Sequence, residues 1–346
     1  MSDVISLPDP SEVAALFANR PALRVREAAA ELGVPEAALV AALPGAVRLR
    51  ADWPSLLEGL AEAGEVMALT RNDHAVHERH GIYRKPEIRG DVGCVLGPEI
   101  DLRLFFARWA HAWFVPAGLP GSPRGSIQVF DRTGAAVHKV FATEATRHDA
   151  LVALAEHLAS PDPPPQFQPP PSPRADPVEE AIEVATLRSD WLALGDTHDF
   201  GKLLRKPRIG RAQAFRLAGK ELARPVAPLA VRRALEGAAS GRLPITVIVP
   251  NAGTIQIHTG TVERLKETGA WFNVLDPRFN LHLHMPGLAR AWLVRKPTAE
   301  GLVTSIEAFG PDDTPAVLLF GTHDPGGGED DRWRALAEHA AEASPC

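Results

Sequence analysis

Ser126-Ile-Gln-Val-Phe130 and Ser305-Ile-Glu-Ala-Phe309 are one short phrase written twice, 179 positions apart. The same offset relates Asp101-Leu-Arg-Leu104 to Asn280-Leu-His-Leu283, Ala112-Trp113 to Ala291-Trp292, Asn72 to Asn251 and Gly81 to Gly260. Upstream, Arg20-Pro21 with Ala28 and Leu32-Gly33 mirrors Lys206-Pro207 with Ala214 and Ala218-Gly219 at a slightly longer offset. Downstream, Leu154-Ala-Glu-His157 mirrors Leu336-Ala-Glu-His339. Solenoid repeats are only about 20–50 residues long, so a period this large is the duplication of a whole domain.

Between the copies runs Pro161-Asp-Pro-Pro-Pro-Gln-Phe-Gln-Pro-Pro-Pro-Ser-Pro173. So much proline neither continues a helix nor donates to a sheet, and an extended, semi-rigid tether is expected; a polyproline ligand is the other reading of such a run. The organisation expected is therefore an N-terminal repeat at 1–160, a proline-rich linker at 161–177 and a C-terminal repeat at 178–346. Alanine and leucine content marks Pro21 to Leu43 and Pro207 to Leu235 as helical, with Gly33, Pro35, Pro225 and Pro228 as interruptions. Ile245–Val249, Thr254–Ile257, Leu281–Met285, Ala291–Val294 and Val303–Phe309 read as strands joined by short turns. Consecutive strands of this kind imply an α+β fold, each copy a large antiparallel sheet with flanking helices.

The bulk numbers exclude several classes. The chain has 346 residues, 45% of them apolar and 23% charged, which is enough for two ordinary cores. A net charge of −6 argues against a nucleic-acid coat protein, although a local basic patch can still bind phosphates or carboxylates. A regulator that binds nucleic acid through Arg205 to Arg211 is the remote alternative. Two distant cysteines, Cys94 and Cys346, make neither a disulfide framework nor a thiolate metal site, and a reducing compartment fits best. Met1 to Pro8 has no basic start and no apolar run, and no stretch approaches eighteen apolar residues. Neither a signal peptide nor a membrane span is expected, and the location expected is cytoplasmic.

A few residues stand out chemically. In Gly195-Asp-Thr-His-Asp-Phe200, Asp196 and Thr197 are natural N-caps, which puts His198 in the first turn of a helix. An imidazole fixed there suits a metal, although the same spacing describes a solvent-exposed histidine. On a strand at 101–106, Arg103 and Phe105 share one face, and a cation beside a large aromatic needs an anionic or polar partner. A carboxylate across the sheet would serve as well as a ligand. Trp292, Val294 and Lys296 alternate onto one face, with Lys296 at the strand's end before Pro297, where an ammonium at the rim of an apolar wall suits a ligand carboxylate. Arg205, Lys206, Arg208 and Arg211 form a second basic cluster; both groups equally describe a solvated charged surface. His74, His77 and His80 look like zinc ligands, but on a helix three residues spaced by three fan apart.

These segments resemble the hemin-degrading factor or hemin transport family of the HemS, HmuS and ChuS type. The resemblance rests on LTRNDHAVHERHG at 69–81, IDLRLFF at 100–106, DTHDF at 196–200, LARPVAP at 222–228, IQIHTG at 255–260, NVLDPRFNLHL at 273–283 and VRKPT at 294–298. It implies that haem b is ligand or substrate and that His198 is the axial ligand to its iron. It further implies that Arg103 acts on the distal side, with a part in any ring opening, that Phe105 lies near the pocket, and that Arg211 and Lys296 hold propionates. Relatives often carry tyrosine where Phe320 stands and arginine where His323 stands, so the propionate end is expected to be held differently here. The resemblance also implies a protein that receives haem from an importer's cytoplasmic side and either passes it to a haem oxygenase or degrades it to release iron. Degradation would draw electrons from NAD(P)H or another external donor, and no GxGxxG fingerprint follows a strand, so no Rossmann site is expected. Only the second copy has His198; the first has Glu12 at the matching place and Arg103 where the second has His282. One haem site per chain is expected.

Overall fold

The structure is a computed structural model and describes residues 7–163, 165–170, 178–179, 182–324 and 328–342. Gly33 and Pro35 divide the first alanine-rich stretch: Val25–Leu32 closes on Gly33 at φ 67, and Glu36–Ala41 starts after Pro35. The matching stretch of the second copy departs from a simple interrupted helix. Arg211–Ala218 and Leu229–Gly241 are helical, but Ala223–Val226 between them is a strand paired only with Ala291–Val294. Pro225 is the reason: it cannot continue a helix, and it is tolerated on a strand with a free edge.

The described residues form two large antiparallel sheets with flanking helices, the α+β repeat architecture expected from the sequence. Two units emerge, one made of Met1–Arg71, Glu78–Pro171 and Asn251–Gln256, the other of Asn72–His77, Ser172–Pro250 and Ile257–Cys346. In the first unit, Val47–Leu49, His111–Val115, Ser126–Phe130, Ala136–Thr146 and Gly64–Arg71 lie side by side in that order. In the second, the order is Ala223–Val226, Arg290–Thr298, Gly301–Phe309, Pro315–Gly321 and Ile245–Pro250. Even the register repeats: Gln128 stands opposite Trp113 and Lys139, and Glu307 opposite Trp292 and Leu318.

Helices cover these sheets by a device used twice. A Cβ on Gly59 of Trp53–Glu62 would fall 2.2 Å from a methyl of Leu154, and one on Gly237 of Leu229–Gly241 would fall 2.2 Å from a methyl of Leu336. At both crossings the missing side chain lets the leucine seat directly on the neighbouring helix. Asn72 and Asn251 repeat as well. The Asn72 amide donates to Pro250 O (2.9 Å) and Ala316 O (2.8 Å) while its Oδ1 accepts from the backbone of His74 and Ala75. Asn251 donates to Arg71 O (2.9 Å) and Val137 O (2.8 Å) and accepts from Gly253 and Thr254.

Part of the proline-rich run packs on the first unit. Phe167 is buried against His111 and Trp113, Gln168 N donates to Arg132 O at 2.9 Å, and Arg48 donates to Pro163 O. Residues 164 and 171–177 of that segment lie outside the described residues. Ala75–Gly81 is a strand and not a helix, so His77 faces opposite to His80, and no group of three His, Cys, Asp or Glu side chains among the described residues could hold a metal ion. No helix among the described residues is long and apolar enough to cross a membrane.

Candidate functional site

Asp196 shapes the turn that carries His198. Its carboxylate accepts from the backbone N–H of His198 at 2.9 Å and from the ring Nδ1 of the same residue at 2.7 Å. These bonds hold the Asp196 carboxyl below its usual range, the backbone bond contributing most. A carboxylate only accepts, so Nδ1 carries a proton in this bond, and Nε2 is the nitrogen the neutral ring would offer to a metal. The turn itself, Thr197–Asp199, is 3-10, and the α-helix begins one residue later as Phe200–Arg205. His198 is therefore just before the helix and not in its first turn. Its side chain is 79% exposed.

Phe200 is the turn's buried anchor. Its ring meets Trp191 edge-on at 4.6 Å, with the Arg211 guanidinium 4.9 Å and the Lys296 ammonium 5.1 Å from its centroid. Both cations bind Glu307. Arg211 Nη1 donates to Oε2 at 2.6 Å, Lys296 Nζ to Oε1 at 2.5 Å, and Ser305 Oγ to Oε1 at 2.8 Å. The Glu307 side chain is 0% exposed and that of Lys296 2%, whereas Arg211 keeps 25%. Burial pushes the Lys296 ammonium down to about 8 although Glu307 favours its charged form. Burial alone would raise the Glu307 carboxyl, but Arg211 and Lys296 outweigh it and hold it at about 2.

A rim position for Lys296 is thus not what the strand provides. Trp292, Val294 and Lys296 do alternate, but Arg290–Thr298 continues through Pro297, which faces Leu302 in the antiparallel pair, and this leaves position 296 in the interior. Phe320 lies 5.1 Å from the same ammonium, while the side chain of His323 lies outside the described residues. Glu307 escaped the reading of the sequence. Its trace was the one charged difference inside the repeated phrase, Gln128 in the first copy against Glu307 in the second.

Arg103 and Phe105 belong to the first unit. Leu102 and Leu104 are buried on one face of Asp101–Phe105, and Arg103 and Phe105 are half-buried on the other. Arg103 pairs with Asp101 along its own strand, not across the sheet, and also donates to Leu102 O at 3.2 Å. Phe105 N donates to Gly253 O at 2.9 Å. The second unit therefore brings the His198 turn, Arg211 and Lys296 together around Phe200 and Glu307, and the first unit presents Arg103 beside Phe105.

The model of the haemin-degrading HemS/ChuX domain matches twice, over residues 33–158 and 208–340. The chain is 39% identical over 321 residues to the hemin transport protein HmuS of Yersinia pestis, covering 92% of each. Its structure is similar to holo-PhuS, a heme-binding protein from Pseudomonas aeruginosa, with 48% identity and a TM-score of 0.91 over 96% of this chain and 99% of that one. It is also similar to ChuS, an E. coli heme oxygenase, with 33% identity and a TM-score of 0.83 over 94% of this chain and 98% of that one.

Proposed function

Since the chain belongs to the haemin-degrading HemS/ChuX domain family, we propose that it binds haem b, with His198 Nε2 on the iron and the Arg211–Lys296 cluster facing a propionate. The observation that carries this reading is the His198 imidazole: it is open to solvent, held by Asp196 through Nδ1, and joined through Phe200 to a cationic cluster. Haem needs those elements together, one neutral imidazole for iron and positive charge for a carboxylate tail, while its ring is satisfied by apolar and aromatic walls. Arg211 is the more open of the two cations and Lys296 is buried. On the distal side, Arg103 would donate to a ligand on iron after leaving Asp101, with Phe105 beside the macrocycle.

In the cell, the chain would receive imported haem in the cytoplasm and then deliver it or open its ring. Bound haem supplies the iron that activates dioxygen; the chain's own residues position it and shield it. The likeness to ChuS, a heme oxygenase, favours ring opening with an external electron donor such as NAD(P)H. The likeness to HmuS, a hemin transport protein, favours hand-over to a separate oxygenase. Two experiments decide. Adding hemin to the protein should give a saturable Soret band, and its absence would end the haem reading. Incubating the complex with a reductant under air, followed by product analysis, should yield an open-chain tetrapyrrole and free iron; recovery of intact haem would leave transfer as the function.

A further inference from the structure

Tyr83 is the chain's one tyrosine, and its side chain is wholly buried in the first unit. Its hydroxyl lies 2.5 Å from Nε2 of His138, whose Nδ1 lies 3.0 Å from Thr70 Oγ1. A buried hydroxyl needs an acceptor for its proton, and among the described residues His138 is its one hydrogen-bond partner. Nε2 then accepts that proton, and Nδ1–H faces Thr70. Burial pushes the phenol well above its ordinary range and the imidazole down to about 3, so both stay uncharged at neutral pH. The fold does not demand this network. At the same offset of 179 positions the second unit has Val249, Val262 and Val317, all buried.

Aromatic rings surround the pair. Trp109 stacks on His138 with ring centres 6.0 Å apart and planes at 18°. Trp53 and Phe106 meet Trp109 edge-on at 5.3 and 5.5 Å. Tyr83 and Trp109 share one core with Leu102 and Leu104, and the other face of that strand carries Arg103 and Phe105. These oxidisable rings therefore lie one strand behind the face read above as the distal side. A phenol gives up an electron readily only when its proton can leave too, because an oxidised phenol is a strong acid. A neutral imidazole at hydrogen-bond distance is the base that this step needs.

We propose that Tyr83 and His138 form a redox-active pair that takes up one oxidising equivalent from the ligand site. One electron leaves Tyr83 for a strong one-electron oxidant, haem oxidised by peroxide, while the O–H bond breaks and its proton passes to His138 Nε2. The products are a neutral tyrosyl radical, an imidazolium and an oxidant reduced by one electron. The external reductant that ring opening calls for returns the electron, and His138 gives back the proton. An imidazolium is costly in this interior, so a mild oxidant does not drive the step. The haem reading enters only as the source of the oxidant.

The test uses the full chain grown with ring-deuterated tyrosine, beside unlabelled protein, so that Tyr83 is marked without a substitution. In one arm the hemin-loaded protein is mixed with hydrogen peroxide and freeze-quenched. In the other, haem-free protein is oxidised by flash-generated tris(bipyridine)ruthenium(III). Both arms should give a radical whose electron paramagnetic resonance spectrum narrows with the label, which sets it apart from radicals on the seven tryptophans. At high field, a lowered g value along the C–O axis should show the hydrogen bond from the protonated His138. His138→Val, with folding checked by circular dichroism melts, should cut the radical yield about tenfold or more, since the positioned base is gone. With hemin bound, absence of the label-sensitive radical in the peroxide arm overturns the proposal. A radical without that hydrogen bond, or full yield in folded His138→Val, overturns it as well. If hemin gives no Soret change, the tetrapyrrole reading falls by itself, and the photochemical arm alone decides whether the pair is redox-active.

Discussion

A histidine that is 79% exposed serves as a metal ligand only if its ring is held in one orientation. Asp196 does this through Nδ1, and orienting partners of this kind are worth roughly 10–100-fold in metal affinity. Asp196→Ala should therefore weaken ferric hemin binding by about that factor while leaving metal-free porphyrin binding near its original value. Equal losses for both ligands would show that Asp196 merely shapes the turn. Arg103 gives a different expectation. A hydrogen bond to a charged partner contributes roughly 1.5–3 kcal/mol, so Arg103→Ala should change the spectrum of the ferric distal ligand, and any ring-opening rate, more than it changes affinity. Wild-type spectra and turnover across pH would reduce Arg103 to its ion pair with Asp101. The legibility of the site followed the same residues. As candidates, His198, Arg103, Phe105 and Lys296 could be picked out because each lies in a short motif, and Arg211 because it lies in a basic cluster. Glu307 could not, because a glutamate in a strand declares its burial only when the partner strands are known.

At the level of single strands, the two copies spend the same positions differently. In the first unit His138 bridges Thr70 Oγ1 at 3.0 Å and the Tyr83 hydroxyl at 2.5 Å, all three buried. The second unit places Val317, Val249 and Val262 at the equivalent positions, likewise buried. The fold therefore has no need of the polar network, which makes a clean comparison possible. Burial pushes His138 down to about 3, below its ordinary 6.5. The unfolded state then binds more protons between those two values, so this histidine's contribution to stability is complete above about 6.5 and is lost as pH falls towards about 3. His138→Val should flatten the decline in unfolding free energy across that window by about 1.4 kcal/mol per pH unit. It should also lower stability at neutral pH, since Thr70 and Tyr83 lose their partner. Chemical denaturation at a series of pH values checks both, and an unchanged slope would mean that His138 is not a buried neutral base. Glu307 adds an acid sensitivity of the same sign at lower pH. Its depressed value means its contribution, present above about 4.5, disappears as pH falls towards about 2. Strands were legible from alternation and turns, but the Ala223–Val226 strand and the 3-10 turn at Thr197–Asp199 were not. Both are short and decided by a neighbouring strand or an aspartate cap, which no local periodicity records.

Across the whole chain, duplication made the architecture legible, and divergence between the copies singled out the candidate site. A constant offset of 179 positions implied two like units, and the strand order and register of the two central sheet regions repeat accordingly. The helix crossings repeat too, so Gly59→Ala and Gly237→Ala should each destabilise the chain by roughly 1–3 kcal/mol through overpacking against Leu154 and Leu336. Melts that leave either variant at wild-type stability would show that those leucines simply turn aside. What the copies do not share is the proposed site: the second unit carries the His198 turn and the buried contact of Arg211 and Lys296 with Glu307, and the first has Gln128 where Glu307 stands. Two like folds should then bind one ligand, not two. The most direct measurement is a hemin titration of the full chain followed at the Soret band, with iron counted independently, run beside His198→Ala. The expected result is one tight haem per chain, with visible bands that change in the variant while some binding remains. Two equivalent tight sites, or a variant whose spectrum matches the unsubstituted protein, would contradict it.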